Sequence, residues 1–223
     1  MKEDRFGNDK GKYMRNQKSN YDLQVDIAKK IFLEYDGETM IRKFQLQADE
    51  QWIYISYLNT PYRIHRETGS IEEYINNDWC PCRRYTTVMT IYDLLCFHRG
   101  EKAPPLRGQW CTAGTFILTG VQGDTFTKKY ASLFSGRIAE LKAACQRLDG
   151  VIQPPMAGAD VTCRIHVTPF FPVLLQFWEG DEEFVPRLIL LWDRNADQLL
   201  HYETTFYLQG DLLERLQENM EGV

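Results

Sequence analysis

No run of about 18 apolar residues occurs in this chain. Gln176, Arg187 and Asp193 interrupt its greasiest stretches, so no membrane-spanning helix is expected. The N-terminal MKEDRFGNDKGKYMRNQKSN holds no apolar segment of the signal-peptide kind, and a cytoplasmic protein is the expectation. Six cysteines in 223 residues do not make a disulfide framework. Cys96 and Cys145 fall within apolar helical patterns, where a reduced thiol packs as a small hydrophobe. Walker A, Gly-x-Ser-x-Gly, His-Glu-x-x-His and EF-hand spacings are all missing, and Gly114, Gly120 and Gly123 lack the strand-to-helix setting of a dinucleotide loop. Basic patches are missing too: Arg83-Arg84 and Lys128-Lys129 are only pairs, and the net charge is −5. Neither nucleic acid nor an anionic membrane surface is an expected partner.

What the chain does have is core material. It is 43% apolar and 26% charged, an ordinary globular balance that excludes wholesale disorder. Residues 1–18 carry six Lys/Arg against three acids and read as a flexible basic tail. The body, 19–223, reads as one domain. Ser19 is placed to cap a helix in which Leu23, Ile27, Ile31 and Tyr35 recur at helical spacing, with Asp36-Gly37 as the stop. Trp52–Leu58 alternates as a strand, Asn59-Thr60 turns, Tyr62–His65 pairs back, and Thr68-Gly69 turns again, which makes a meander. A second helix carries Val88, Ile91, Leu94 and Leu95 and stops before Pro104-Pro105. A long helix is expected near 124–149, with Tyr130, Phe134, Ile138, Leu141, Cys145 and Leu148 on one stripe and a weak point at Ser135-Gly136. Strand patterns at Val161–Val167, Pro172–Trp178 and Phe184–Asp193 precede a C-terminal helix with Leu208, Leu212, Leu213 and Leu216. Strands, helices and strands without βαβ alternation imply an α+β fold with antiparallel sheet and about four helices.

The densest chemistry lies in QFWEGDEEFVP, residues 176–186, where Glu179, Asp181, Glu182 and Glu183 crowd between aromatics. With Gly180–Glu183 as a four-residue hairpin loop, Gln176 falls opposite Arg187, Leu175 opposite Leu188, and Val173 opposite Leu190. Such a loop is either a solvated turn or a site for a cation or a basic partner. Trp178 and Asp193 complete the candidate acidic site; Trp110 and Phe184 are candidate walls of an aromatic pocket. Cys80, Cys82, Cys96 and His98 form two close pairs of soft ligands, a weak zinc candidate because the usual Cys-x-x-Cys spacing is missing.

The stretch PVLLQFWEGDEEFVPRLILLWDRNADQLLHYE resembles the C-terminal signature of a bacterial and archaeal family, domain of unknown function 3786. The matching residues are Trp178, Gly180, Asp181, Glu182 and Phe184, then Leu190, Leu191 and Asp193. TIYDLLCFHRGEKAPPLRGQWCTAGTF is similar to the family's middle segment, with Gln109 standing where an acid is more usual. The resemblance runs from about Tyr21 to Leu216. It implies kinship with proteins some of which carry iron–sulfur modules or come from corrinoid-using anaerobes, and it assigns no activity or cofactor. Two functional readings follow. In one, the protein is a non-enzymatic accessory module that contacts a protein or ligand through the acidic turn. In the other, it is an enzyme or metal-binding protein whose pocket, between sheet and long helix, is reached by the turn carboxylates.

Overall fold

The computed structural model describes residues 19–116 and 124–222, so the basic tail of 1–18 lies outside the described residues. Ser19 opens the chain as a capping box. Its hydroxyl accepts from the Asp22 amide at 3.2 Å while Asp22 reaches back to the Ser19 amide at 3.1 Å, starting α1 (Asn20–Leu33). Asp36-Gly37 then begins a helix rather than ending one. Asp36 accepts from the Thr39 amide at 3.0 Å and caps α2 (Gly37–Phe44), which buries Met40 and Phe44.

A five-stranded antiparallel meander follows: β1 (Gln47–Ala48), β2 (Trp52–Tyr57), β3 (Thr60–His65), β4 (Ile71–Ile75) and β5 (Asp78–Pro81), in sequence order. The alternation read from Trp52 onward holds: Ile53, Ile55 and Tyr57 are buried, while Trp52 and Tyr54 face outward. The β2–β3 turn is Leu58-Asn59, both in the left-handed region at φ 49° and 56°, which suits a tight hairpin.

Next comes α3 (Tyr85–Cys96), then β6 (Trp110–Cys111). The expected long helix near 124–149 is two helices, α4 (Asp124–Phe134) and α5 (Ile138–Arg147). Gly136, at φ +75°, bends the chain between them, so α4 packs on one part of the second sheet and α5 on another. That sheet runs β6-β10-β9-β8-β7, with β7 (Gly150–Ile152), β8 (Val161–Thr168), β9 (Phe171–Trp178) and β10 (Arg187–Asp193), all antiparallel. The fold is α+β as expected, with six α-helices among the described residues rather than about four.

The hub is α6 (Tyr202–Glu221), which packs on α3 and α5. Its buried Asp211 accepts from Tyr57 at 2.9 Å, Thr86 at 2.5 Å and Thr87 at 2.8 Å, tying the first sheet to α3. A buried carboxylate is tolerated because three hydroxyls replace its water. The Leu58 amide donates to the Val167 carbonyl at 2.8 Å and joins the two sheets. No helix among the described residues is long and apolar enough to cross a membrane.

Candidate functional site

The acidic segment joins β9 to β10 as expected, but the pairing is two residues off the expected register. Gln176 lies opposite Ile189 and Arg187 opposite Trp178, while Leu175 meets Leu190 and Val173 meets Trp192. A slip of two keeps every side chain on its face, so alternation alone does not distinguish the registers. The loop decides it. A Cβ on Gly180 would sit 2.7 Å from Pro186 Cδ and 2.9 Å from its nitrogen, so the chain closes tightly there before β10 begins. Phe184, Val185 and Pro186 therefore belong to the loop, not the strand.

Within this loop the four carboxylates do different things. Glu179 accepts from Ser135 Oγ and, at 2.9 Å, from the Gly136 amide, so it caps the break between α4 and α5. Asp181 accepts from the amides of Phe184 at 2.7 Å and Glu183 at 2.8 Å, which hold its carboxyl below the usual carboxylate range. Glu182 and Glu183 make no side-chain hydrogen bond or ion pair among the described residues. Trp178 donates from Nε1 to the Ala157 carbonyl at 3.2 Å, and the Arg187 guanidinium lies 5.4 Å from its ring centroid. The tip carries Phe184, 69% exposed, and Val185, 85% exposed.

Asp193 is not part of this cluster. It ends β10, which is about 20 Å long at strand rise, and it is buried at the far end from the loop. There it accepts from the amides of Arg107 at 3.0 Å, Gly108 at 2.7 Å and Asn195 at 3.0 Å, fastening the proline-rich loop. Trp110 pairs opposite Asp193, so Trp110 and Phe184 sit at opposite ends of β10 and share no pocket.

The soft-ligand pairs do not converge either. Cys80 is on β5 opposite Glu73, and the Cys82 amide donates to the Ile71 carbonyl at 3.0 Å. Cys96 is buried at the end of α3, and burial pushes its thiol up to about 12. His98 contributes its backbone carbonyl to Lys43 and Tyr35. Among the described residues, no three of His, Cys, Asp and Glu are gathered as a metal site.

A concave site lies elsewhere among the described residues. α1 and α3 run side by side in the same direction: Tyr21 meets Tyr85 near their starts, at 4.8 Å between centroids, and Tyr35 donates to the His98 carbonyl near their ends. α6 runs the other way, with Tyr207 against Tyr85 at 5.6 Å and His201 against Phe97 at 4.2 Å. Between the three helices lies a groove of about 760 Å³. Ile27, Ile31 and Met89 give it an apolar floor; Tyr85, Phe97 and Tyr207 give it aromatic walls.

One end of the groove is polar, with Asp93, Arg99, His201 and Glu203. Asp93 accepts from the His201 amide at 2.8 Å and pairs with His201 Nδ1 at 2.6 Å. The carboxylate thus orients the imidazole and keeps a proton on Nδ1, so Nε2 is the nitrogen left for another partner. Burial, then the Tyr207 hydroxyl, push the Tyr85 phenol up to about 12. None of Glu179, Asp181, Glu182 or Glu183 lines the groove.

Sequence reasoning missed Asp93 and His201. The available signals were faint: a lone acid inside the apolar α3, and a histidine where a Ser, Thr or Asp would ordinarily cap α6. No curated protein and no solved structure matches the chain. A family model does, described as a domain of unknown function (DUF3786), over residues 36–215, so it takes in α2 through most of α6 and leaves α1 outside. The match spans most of the chain and includes both the acidic loop and the Asp93–His201 pair, and the chain belongs to this family.

Proposed function

We propose that the protein is a binding module whose ligand seats in the groove between α1, α3 and α6. The observation that carries this reading is the groove itself. At about 760 Å³, with an apolar floor, aromatic walls and a few polar groups gathered at one end, it has the make-up of a small-molecule site. The enzymatic alternative required a pocket reached by the acidic-loop carboxylates, and those carboxylates lie outside this one. Cys96, with its thiol pushed up to about 12, is no nucleophile at neutral pH.

The test uses a neutral fluorescent probe, N-phenyl-1-naphthylamine. It is expected to bind at one site with enhanced emission, to be lost in Met89→Trp, which fills the groove, and to be kept in Phe184→Ser with Val185→Ser. Emission that survives Met89→Trp, or that vanishes with the loop variant, ends the reading.

A protein partner is a second reading, and a separate observation favours it. Phe184 and Val185 are exposed directly after Asp181, Glu182 and Glu183, on a loop stiffened by the Asp181 and Gly180–Pro186 contacts. Such a tip suits an apolar pocket ringed by basic residues. The corrinoid or redox protein implied by family kinship would dock there. Phe184→Ser with Val185→Ser then abolishes its co-purification, and a partner retained by the double variant removes this reading.

A further inference from the structure

We infer that the groove selects a cationic ligand, an amine carried on an apolar or aromatic body. This rests on the groove being the binding site and adds the chemical class of its occupant. At the polar end two carboxylates are set against one guanidinium. Asp93 and Glu203 supply carboxylates, and His201 lies beside them, held through Nδ1 by Asp93. Among the described residues Arg99 is the one Lys or Arg in the lining, and it makes no ion pair with either acid. Its guanidinium lies instead 5.3 Å from the Tyr35 ring centroid, turned toward the end of α1.

Glu203 makes no hydrogen bond or ion pair among the described residues, so its carboxylate is available at the rim. An ammonium group placed at this end would donate to Glu203 and lie in the field of Asp93. A carboxylate head in the same place would face two like charges. The walls agree with this sign: Tyr85, Phe97 and Tyr207 line the groove, and aromatic rings attract cations through their quadrupoles. The net charge of −5 draws cations toward the molecule as a whole.

The experiment compares two probes with the same ring and opposite heads, tryptamine and indole-3-propionate, by isothermal titration at pH 7 on the full chain. Tryptamine is expected to bind at one site at least about tenfold more tightly than the acid. Glu203→Gln, an exposed and nearly isosteric change, is expected to weaken tryptamine roughly fivefold and to narrow the gap between the probes. Indole-3-propionate binding as tightly as tryptamine overturns the proposal, as does tryptamine binding that ignores Glu203→Gln. If the neutral naphthylamine binds in the groove while neither indole does, the ligand class is wrong and the groove stands. If all three fail to bind, the groove reading falls with it.

Discussion

The β9–β10 loop and the groove beside α3 both gather acidic and aromatic residues, but they use them in opposite ways. In the loop, Glu179 and Asp181 are consumed by backbone amides close by in space, and only Glu182 and Glu183 are left to solvent. In the groove, Asp93 is spent on His201, yet the result is a positioned imidazole at the edge of a cavity. Crowded charge along the chain therefore marked a place where a turn needs acceptors. The concave site came from single residues on three helices, brought together by packing. Density of charge in sequence and convergence of charge in space are different properties.

The largest expected effect tests whether the acids of the family-like motif are structural. Asp193 is 1% exposed and accepts from three backbone amides. Asp193→Ala strands those donors in the interior, at about 1–3 kcal/mol for each unsatisfied group. A loss of more than about 3 kcal/mol in urea unfolding is expected. A loss below about 1 kcal/mol would mean that water reaches the amides and that the carboxylate is held for another purpose.

The next effect is on the groove side. Lys43 is buried and donates to the Tyr35 phenol and the His98 carbonyl, each at 2.6 Å, with no carboxylate partner among the described residues. Burial pushes its ammonium down to about 8 from the ordinary 10.5. Between those pH values the unfolded chain keeps a proton that the folded chain has released, so stability rises with pH across the window. Lys43→Met removes this dependence while leaving Tyr35 bonded to the His98 carbonyl at 3.1 Å. The stability of the wild type relative to Lys43→Met should therefore climb from pH 7.5 to pH 10.5, by at most about 3 kcal/mol. A difference that stays flat, or falls, would show that the amine keeps its proton in the folded state.

The same contrast explains which parts of the structure could be read from the chain. The meander was legible because Trp52–Tyr57 alternates strictly and Asn59 tolerates the left-handed turn. α1 was legible because Ser19 caps it within four residues. α2 was not, because Asp36-Gly37 reads as a stop, and only the Thr39 amide shows that Asp36 faces forward. The break at Gly136 was visible as a weak point, but Glu179, the residue that stabilises it, lies more than forty positions away. The β9–β10 register was lost to a contact between Gly180 and Pro186 that alternation does not encode. The groove was lost altogether, because its walls come from α1, α3 and α6.

The smallest expected effects divide the acidic loop itself. Glu179→Gln keeps an acceptor for the Gly136 amide but loses the charge and one of two carboxylate contacts, so about 1 kcal/mol of destabilisation is expected. Glu182→Gln with Glu183→Gln touches nothing in the structure and relieves mutual repulsion, so the change should stay within about 0.5 kcal/mol, on the stabilising side at low salt. The ordering of the two variants is the measurement, made by urea unfolding at low and high ionic strength. Were the Glu182/Glu183 pair to cost as much as Glu179, those carboxylates would be holding something, and the loop would regain its claim to be more than a turn. Were Glu179→Gln silent, the bend between α4 and α5 would rest on Gly136 alone. The conspicuous acids would then have no structural task at all, and the case for a partner at the Phe184–Val185 tip would grow stronger.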